Sequence, residues 1–293
     1  MTLTRVLTAL VLMPAVIALV LFTPTWAVAI ATAIVTILAL REYFALGDAI
    51  GHRAYRLWTI FCSLLLLVRQ WRDMSLRAQL NDVMSQSIHS IKLVPLPFVD
   101  SPSLSLLFAF VLGIAVLTLF TRRPLVESLP SAGISASAFL LVAFPLSFAV
   151  RMHGLPTYGP RLLLFALAIT WAADTFAYFA GRAFGKHPLA PHISPKKTWE
   201  GSLGGMIGSL AVAYAFHFWL AIPLPHLFAM AVIGNIAGQM GDLLESAYKR
   251  SAGVKDSGGL LPGHGGVLDR IDALILAIPV IWYYLVLVNP HLN

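Results

Sequence analysis

The sequence predicts an all-α, polytopic integral membrane protein, and three observations carry that prediction. Hydrophobic residues make up 58% of the 293 positions and charged residues only 11%, whereas a soluble domain carries roughly a quarter charged. The apolar residues form long unbroken runs rather than the period-two alternation of a transmembrane β-barrel. Those runs approach the length of about 20 residues that a helix needs to cross a bilayer. Ordinary soluble enzymes, collagen-like chains and disordered chains are excluded together, and the single Cys62 excludes a disulfide scaffold.

The first run, near 6–22, reads as a span rather than a cleaved signal peptide, because no small-residue cleavage region follows and a second run, 26–46, comes almost at once. The third, 57–68, is short, and by itself fits a re-entrant or buried segment equally well. Residues 69–103 are more polar, with Asp73, Asn81, Asp82 and Gln86, and are expected to form a helix on the outer surface and then an extended stretch around Pro95 and Pro97. Apolar runs resume near 104–121, 131–150, 161–180, 202–221, 224–245 and 272–288.

Basic residues decide the third run, since cytoplasmic loops carry an excess of Lys and Arg. With that run crossing and the N-terminus inside, 14 basic residues fall on the cytoplasmic side and 6 outside, four of the latter within 69–103. Removing the span scrambles the asymmetry. Nine transmembrane helices follow, with a cytoplasmic N-terminus. Residues 1–160 are the N-terminal helices with their polar insertion at 69–103, and 161–293 the C-terminal catalytic region. No internal repeat is evident, which counts against inverted-repeat transporters. The net charge of +7 points to membrane lipids or an anionic substrate; its scatter between apolar runs excludes nucleic acid as a partner.

Two loops on the cytoplasmic side collect the polar chemistry. One runs from Gly181 to Gly201, after a helix carrying Asp174, and the other from Ser246 to Asp272. Glycine and proline at this density mark tight turns that let backbone approach a ligand. Lys196 and Lys197 are placed to neutralise phosphate, with Glu200 expected to pair with them. On the helix entering the second loop, Asn235, Gln239, Asp242, Ser246 and Lys249 share one face. That face reads either as a polar packing seam or as a metal or substrate surface. Asp174 and Asp242 in apolar spans are costly unless they face protein, water or an ion. Gly201, Gly204, Gly205 and Gly208 form overlapping small-xxx-small pairs, read as close helix packing.

His264, in Pro-Gly-His-Gly-Gly, has no Cys or His partner at zinc-ligand spacing. Hard oxygen donors, Asp242 and Asp269 with Asp256 or Asp272, suit magnesium and phosphate chemistry better. No Walker-type phosphate loop occurs.

The run Ser246, Lys249, Arg250, Lys255, Asp256, Pro262, His264, Gly265, Gly266, Asp269, Arg270 and Asp272 resembles the C-terminal motif of the phosphatidate cytidylyltransferases (CDP-diacylglycerol synthases). Tyr248 is a minor departure. The run from Asp174 through Ser194, Pro195, Lys196, Lys197, Thr198, Glu200 and Gly201 is similar to that family too, so the resemblance covers about 170–275. It implies a membrane enzyme joining CTP to phosphatidic acid to give CDP-diacylglycerol and pyrophosphate, using Mg2+ and forming a homodimer. It would sit in a bacterial inner membrane with its active site on the cytoplasmic side. By motif position Asp242 and Asp269 are the metal-binding acids, expected at one membrane depth. Lys249, Arg250, Lys255 and Asp256 join them as catalytic candidates. Asp174, Ser194, Lys196, Lys197, Glu200, Ser246, His264, Gly265, Gly266 and Arg270 are substrate-binding candidates, His264 as a loop-shaping or hydrogen-bonding residue.

Two other classes stay open at this point. A CTP-dependent polyprenol or dolichol kinase would need a base for its lipid alcohol, and a secondary transporter of an anionic solute would use Asp174 and Asp242 as coupling sites.

Overall fold

A computed structural model of the chain describes residues 2–86, 101–156, 158–260 and 265–288. Each of the nine apolar runs becomes a helical rod. These are α1 (Thr2–Phe22), α2 (Thr25–Ala49), α3 (Arg56–Gln86), α4 (Ser101–Phe120), a rod built from α5 (Ser128–Ala138) and α6 (Phe144–His153), α7 (Gly159–Phe184), α8 (Trp199–His217), α9 (Leu224–Ser251) and α10 (Leu268–Val288). Among the described residues, five helices are long and apolar enough to cross a membrane: Thr25–Ala49, Leu125–His153, Gly159–Phe184, Leu224–Ser251 and Leu268–Val288. Leu10–Phe22 and Leu104–Phe120 are shorter apolar helical stretches. The chain is an all-α polytopic membrane protein.

The rod of α5 and α6 is joined by a π-helical turn, Phe139–Ala143, just before Pro145. Proline has no N–H to give and crowds the carbonyl four residues back, and one wider turn relieves both. The same turn sets Phe139 flat on Phe110 of α4, ring centroids 4.2 Å apart.

One expectation needs correction. No break separates a short span at 57–68 from the polar stretch after it, because α3 runs unbroken from Arg56 to Gln86. Arg69, Arg72 and Asp73 interrupt the apolar pattern, but Arg is a good helix former, a single Asp does not break a helix, and no Gly or Pro stands between Arg56 and Gln86 to end the rod. The stretch expected to be extended, around Pro95 and Pro97, lies outside the described residues.

The core draws on both halves of the chain: Leu40 and Phe44 of α2, Phe148 and Met152 of α6, Phe165 and Ile169 of α7, Leu227 and Met230 of α9, and Ile278 and Trp282 of α10 are packed into one cluster. Some of its buried polar groups tie helices together. His153 of α6 meets the Val20 carbonyl at 2.9 Å and the Thr25 hydroxyl at 3.1 Å, tying α6 to the α1–α2 turn.

Between α7 and α8 the chain forms a small antiparallel hairpin, β1 (Pro188–Ala190) with β2 (Ser194–Thr198), pairing Pro188 with Thr198 and Ala190 with Ser194. Pro188, Pro191 and Pro195 keep this stretch out of a helix. Thr198 then caps α8, its hydroxyl accepting the Gly201 N–H at 3.1 Å.

Candidate functional site

The site is built where α7, α8, α9 and α10 end together, and glycine sets how near they come. A methyl group added to Gly204 would overlap the Ala180 side chain, and one on Gly208 would lie 2.8 Å from the Phe176 ring. The small-xxx-small pairs are therefore close packing of α8 on α7, as read from the sequence. Gly241 does the same for α9, pressed on the Asp272 carbonyl of α10. This contact fixes the register of the last two helices.

That register sorts the acids into two groups. Asp242 of α9 lies level with Asp272 of α10, and Asp174 of α7 is close enough to both to be felt electrostatically. Lys197 from the hairpin pairs with Asp242, and Lys197 and Arg270 are the cations facing Asp174. Asp269 sits three residues nearer the helix start than Asp272, about 4.5 Å along the axis. There it takes the buried Lys249 ammonium at 2.5 Å, and its other oxygen accepts the N–H groups of Gly266 at 2.8 Å and Ser257 at 3.0 Å. Glu245, one turn before Lys249, pairs with the same ammonium.

The polar face of α9 divides accordingly. Asn235 and Gln239 are a packing seam: Asn235 donates to the Ser209 hydroxyl at 2.9 Å, and Gln239 bonds Asn235 and Ser202. Beyond them Asp242, Ser246 and Lys249 enter the charged cluster, with Ser246 3.5 Å from Asp242. The packing-seam reading holds for the first half, and the second half is a charged cluster.

The two loops meet directly. Arg250 donates to the Ile193 carbonyl, next to Ser194, at 3.4 Å, and to Val254 at 3.2 Å. Lys196, Lys255, Asp256 and Arg270 stand exposed around this junction. Glu200 departs from its expected pairing with Lys196 and Lys197. It instead accepts the His187 ring at 2.6 Å and the backbone N–H groups of Lys186 and His187 at 3.1 and 3.3 Å. The His187 hydrogen bond, with backbone N–H groups behind it, holds its carboxyl down at about 2. The acid is spent on pinning the α7–hairpin turn, since those N–H groups have no helical partner. His264 and Pro262 lie outside the described residues.

Gly265 and Gly266 fit the backbone around two carboxylates. Gly265 has φ of 79°, which other residues rarely adopt, and a side chain there would stand 2.7 Å from Asp269. A side chain on Gly266 would strike Ser257 and Glu42. Glu42, on α2, is the residue the sequence reading missed. Its carboxylate accepts the Leu268 N–H at 2.8 Å, the Val267 N–H at 3.0 Å and the Ser257 hydroxyl at 3.1 Å. It thereby caps α10 from another helix and fastens the loop that carries Lys255 and Asp256. The available signal was a lone acid closing an apolar span, the criterion that singled out Asp174 and Asp242.

The donors suit a hard divalent cation in kind. Asp174, Asp242 and Asp272 offer carboxylate oxygens, and Asp242 already draws an ammonium. Asp269 has both oxygens engaged. Among the described residues, no three Asp, Glu, His or Cys side chains are gathered closely enough to ligate one ion as they stand.

A sequence profile of the cytidylyltransferase family matches residues 3–288. The chain belongs to that family. Cytidylyltransferase relatives named phosphatidate cytidylyltransferase include one from Bacillus subtilis, 36% identical over 178 residues, which are 59% of this chain and 66% of the relative. Another from Haemophilus influenzae is 48% identical over 135 residues, 44% of this chain and 47% of the relative. A third, from Staphylococcus haemolyticus, is 44% identical over 146 residues, 49% and 54% of the two chains. The alignments thus span about half to two thirds of these cytidylyltransferases' own length.

Proposed function

We propose that the protein transfers a cytidylyl group from CTP to phosphatidic acid, giving CDP-diacylglycerol and pyrophosphate for phospholipid synthesis. The observation that carries this reading is the junction of the hairpin and the α9–α10 loop, where cationic side chains ring a group of carboxylates. Two polyanions must approach each other, and their repulsion has to be offset by fixed positive charge. Lys196, Lys197, Arg250, Lys255 and Arg270 supply it, with Ser194 and Ser246 as neutral hydrogen-bond donors.

A phosphate oxygen of phosphatidic acid attacks the α-phosphorus of CTP. The bond from that phosphorus to the bridging oxygen of the β-phosphate breaks, and pyrophosphate leaves with the electron pair. A phosphomonoester has a second pKa of about 6, so the attacking group is already ionised at neutral pH and no strong general base is required. That explains why acids and cations matter more here than a His–Asp pair would. Mg2+, held by Asp242 with Asp269 as the motif implies, would supply charge neutralisation at the α-phosphate. Asp174 and Asp272 beside Asp242 favour that end of the pair, while Asp269 also orders Lys249 and the turn at Gly266.

The enzyme is inferred to lie in a bacterial inner membrane with this site facing the cytoplasm, where CTP is available, and to act as a homodimer. The test is product analysis with purified protein in detergent, CTP, phosphatidic acid and magnesium. Pyrophosphate released in step with lipid-linked CMP supports cytidylyl transfer. Release of CDP instead identifies a lipid kinase, and no turnover of CTP leaves the transporter reading.

A further inference from the structure

We propose that a pocket between the start of α3 and the end of α4, remote in sequence from the cytidylyltransferase motif, binds the headgroup of an anionic membrane phospholipid. The cavity is about 700 Å³. Its floor is built and rigid. Arg123 donates to the carbonyls of Arg53 and Ala54 and to the Ser131 hydroxyl at 3.1 Å, and its guanidinium lies over the Tyr55 ring, 5.1 Å from the centroid. Trp58 is fixed by its indole N–H on the Phe110 carbonyl at 3.0 Å, and it packs against Gly113, where any side chain would collide with the indole.

The charge is unbalanced. Arg56 pairs with Asp48, while no carboxylate among the described residues pairs with Arg53 or Arg123. Arg123 therefore offers a preset guanidinium, and exposed Arg53 stands beside it at the mouth. A phosphate matches both.

The walls say where the phosphate comes from. Leu57 is 86% exposed and Phe61 56%, and Leu65 and Val68 extend the same bare apolar strip along α3. A soluble phosphate has no use for that strip, whereas an acyl chain fits along it while its headgroup meets the arginines. The pocket also opens at the catalytic end of the bundle: Glu42, which clasps the α9–α10 loop, lies on α2 less than two turns before Asp48.

Native mass spectrometry of the full chain, delipidated in detergent and offered equal phosphatidylglycerol and phosphatidylcholine, tests the site. Phosphatidylglycerol is chosen because it is not the proposed substrate. The expected result is one phosphatidylglycerol retained in clear preference to phosphatidylcholine. Arg53→Gln should weaken retention about fivefold, the equivalent of the roughly 1 kcal/mol a cation contributes near an anionic headgroup, and Leu57→Gln should also weaken it, both with unchanged melting temperature. Equal retention of the two lipids, indifference to both substitutions, displacement by millimolar inorganic phosphate, or occlusion of the pocket by a second copy would each overturn the proposal.

Discussion

At the scale of single residues, the acids differ in what they hold, and their substitutions should differ accordingly. Asp242 has the Lys197 ammonium and a distant serine as partners, so Asp242→Asn should leave a folded protein that has nearly lost cytidylyl transfer and needs more magnesium for what remains. Asp269 anchors buried Lys249 and two backbone N–H groups. Asp269→Asn should therefore cost about 1.5–3 kcal/mol of stability as well as activity, since hydrogen bonds to charged groups are worth that much. Thermal melting in detergent beside magnesium titration separates the two, and equal melting with wild-type magnesium dependence in both variants would refute the distinction. Glu42→Ala should destabilise by about 2–3 kcal/mol through the lost α10 cap and depress turnover, although it lies some 200 residues from the motif. Near-normal melting and rate would show that the loop holds itself. Glu42 carries the same sequence signal as Asp174 and Asp242, an acid in an apolar run, but its role is not legible there because its partners, Ser257, Val267 and Leu268, meet it only in the fold. Asp174 and Asp242 were legible, because a carboxylate within an apolar run stands out against its neighbours without any tertiary knowledge.

At the scale of elements, the basic-residue asymmetry argued for the rod at 57–68, and apolar length located the other eight, because bilayer thickness is imposed on each helix separately. It failed at α3, where Arg69, Arg72 and Asp73 end the apolar pattern but not the helix. Hydropathy reports the surroundings a helix sits in, whereas backbone continuity depends on propensity and breakers. The hairpin is likewise legible only as a loop, its prolines visible but its pairing not. Helix contact was more legible. The glycine spacing of α8 announced a close neighbour, and α7 fills that place. Gly204→Leu should force α7 and α8 apart and cost about 1–3 kcal/mol or more, as overpacking does. Gly133→Leu, at a position with nothing within 4 Å, should change stability by no more than about 0.5 kcal/mol. Equal melting temperatures for the two variants would contradict the packing assigned to the α7–α8 interface.

At the scale of the whole molecule, the orientation rests on the basic-residue asymmetry, while the meeting of the two loops rests on contacts such as Arg250 with Ile193. Both require residues 186 and 259 to face one compartment. In a Cys62→Ser background, cysteines at Lys186 and Gly259, where a side chain meets nothing within 4 Å, should resist an impermeant thiol reagent in intact cells and label after permeabilisation. Labelling of either in intact cells would reverse the proposed orientation. The bundle brings acids from α7, α9 and α10 and cations from both loops to one end, and that convergence is proposed to make it a cytidylyl-transfer centre. The most direct test follows the α-phosphorus of CTP. With α-labelled CTP and phosphatidic acid, label should pass into the lipid fraction in the wild-type protein, with one pyrophosphate released per label transferred, and folded Asp242→Asn should lose the transfer almost entirely. Label remaining in water-soluble CDP, or transfer undiminished in Asp242→Asn, would contradict it.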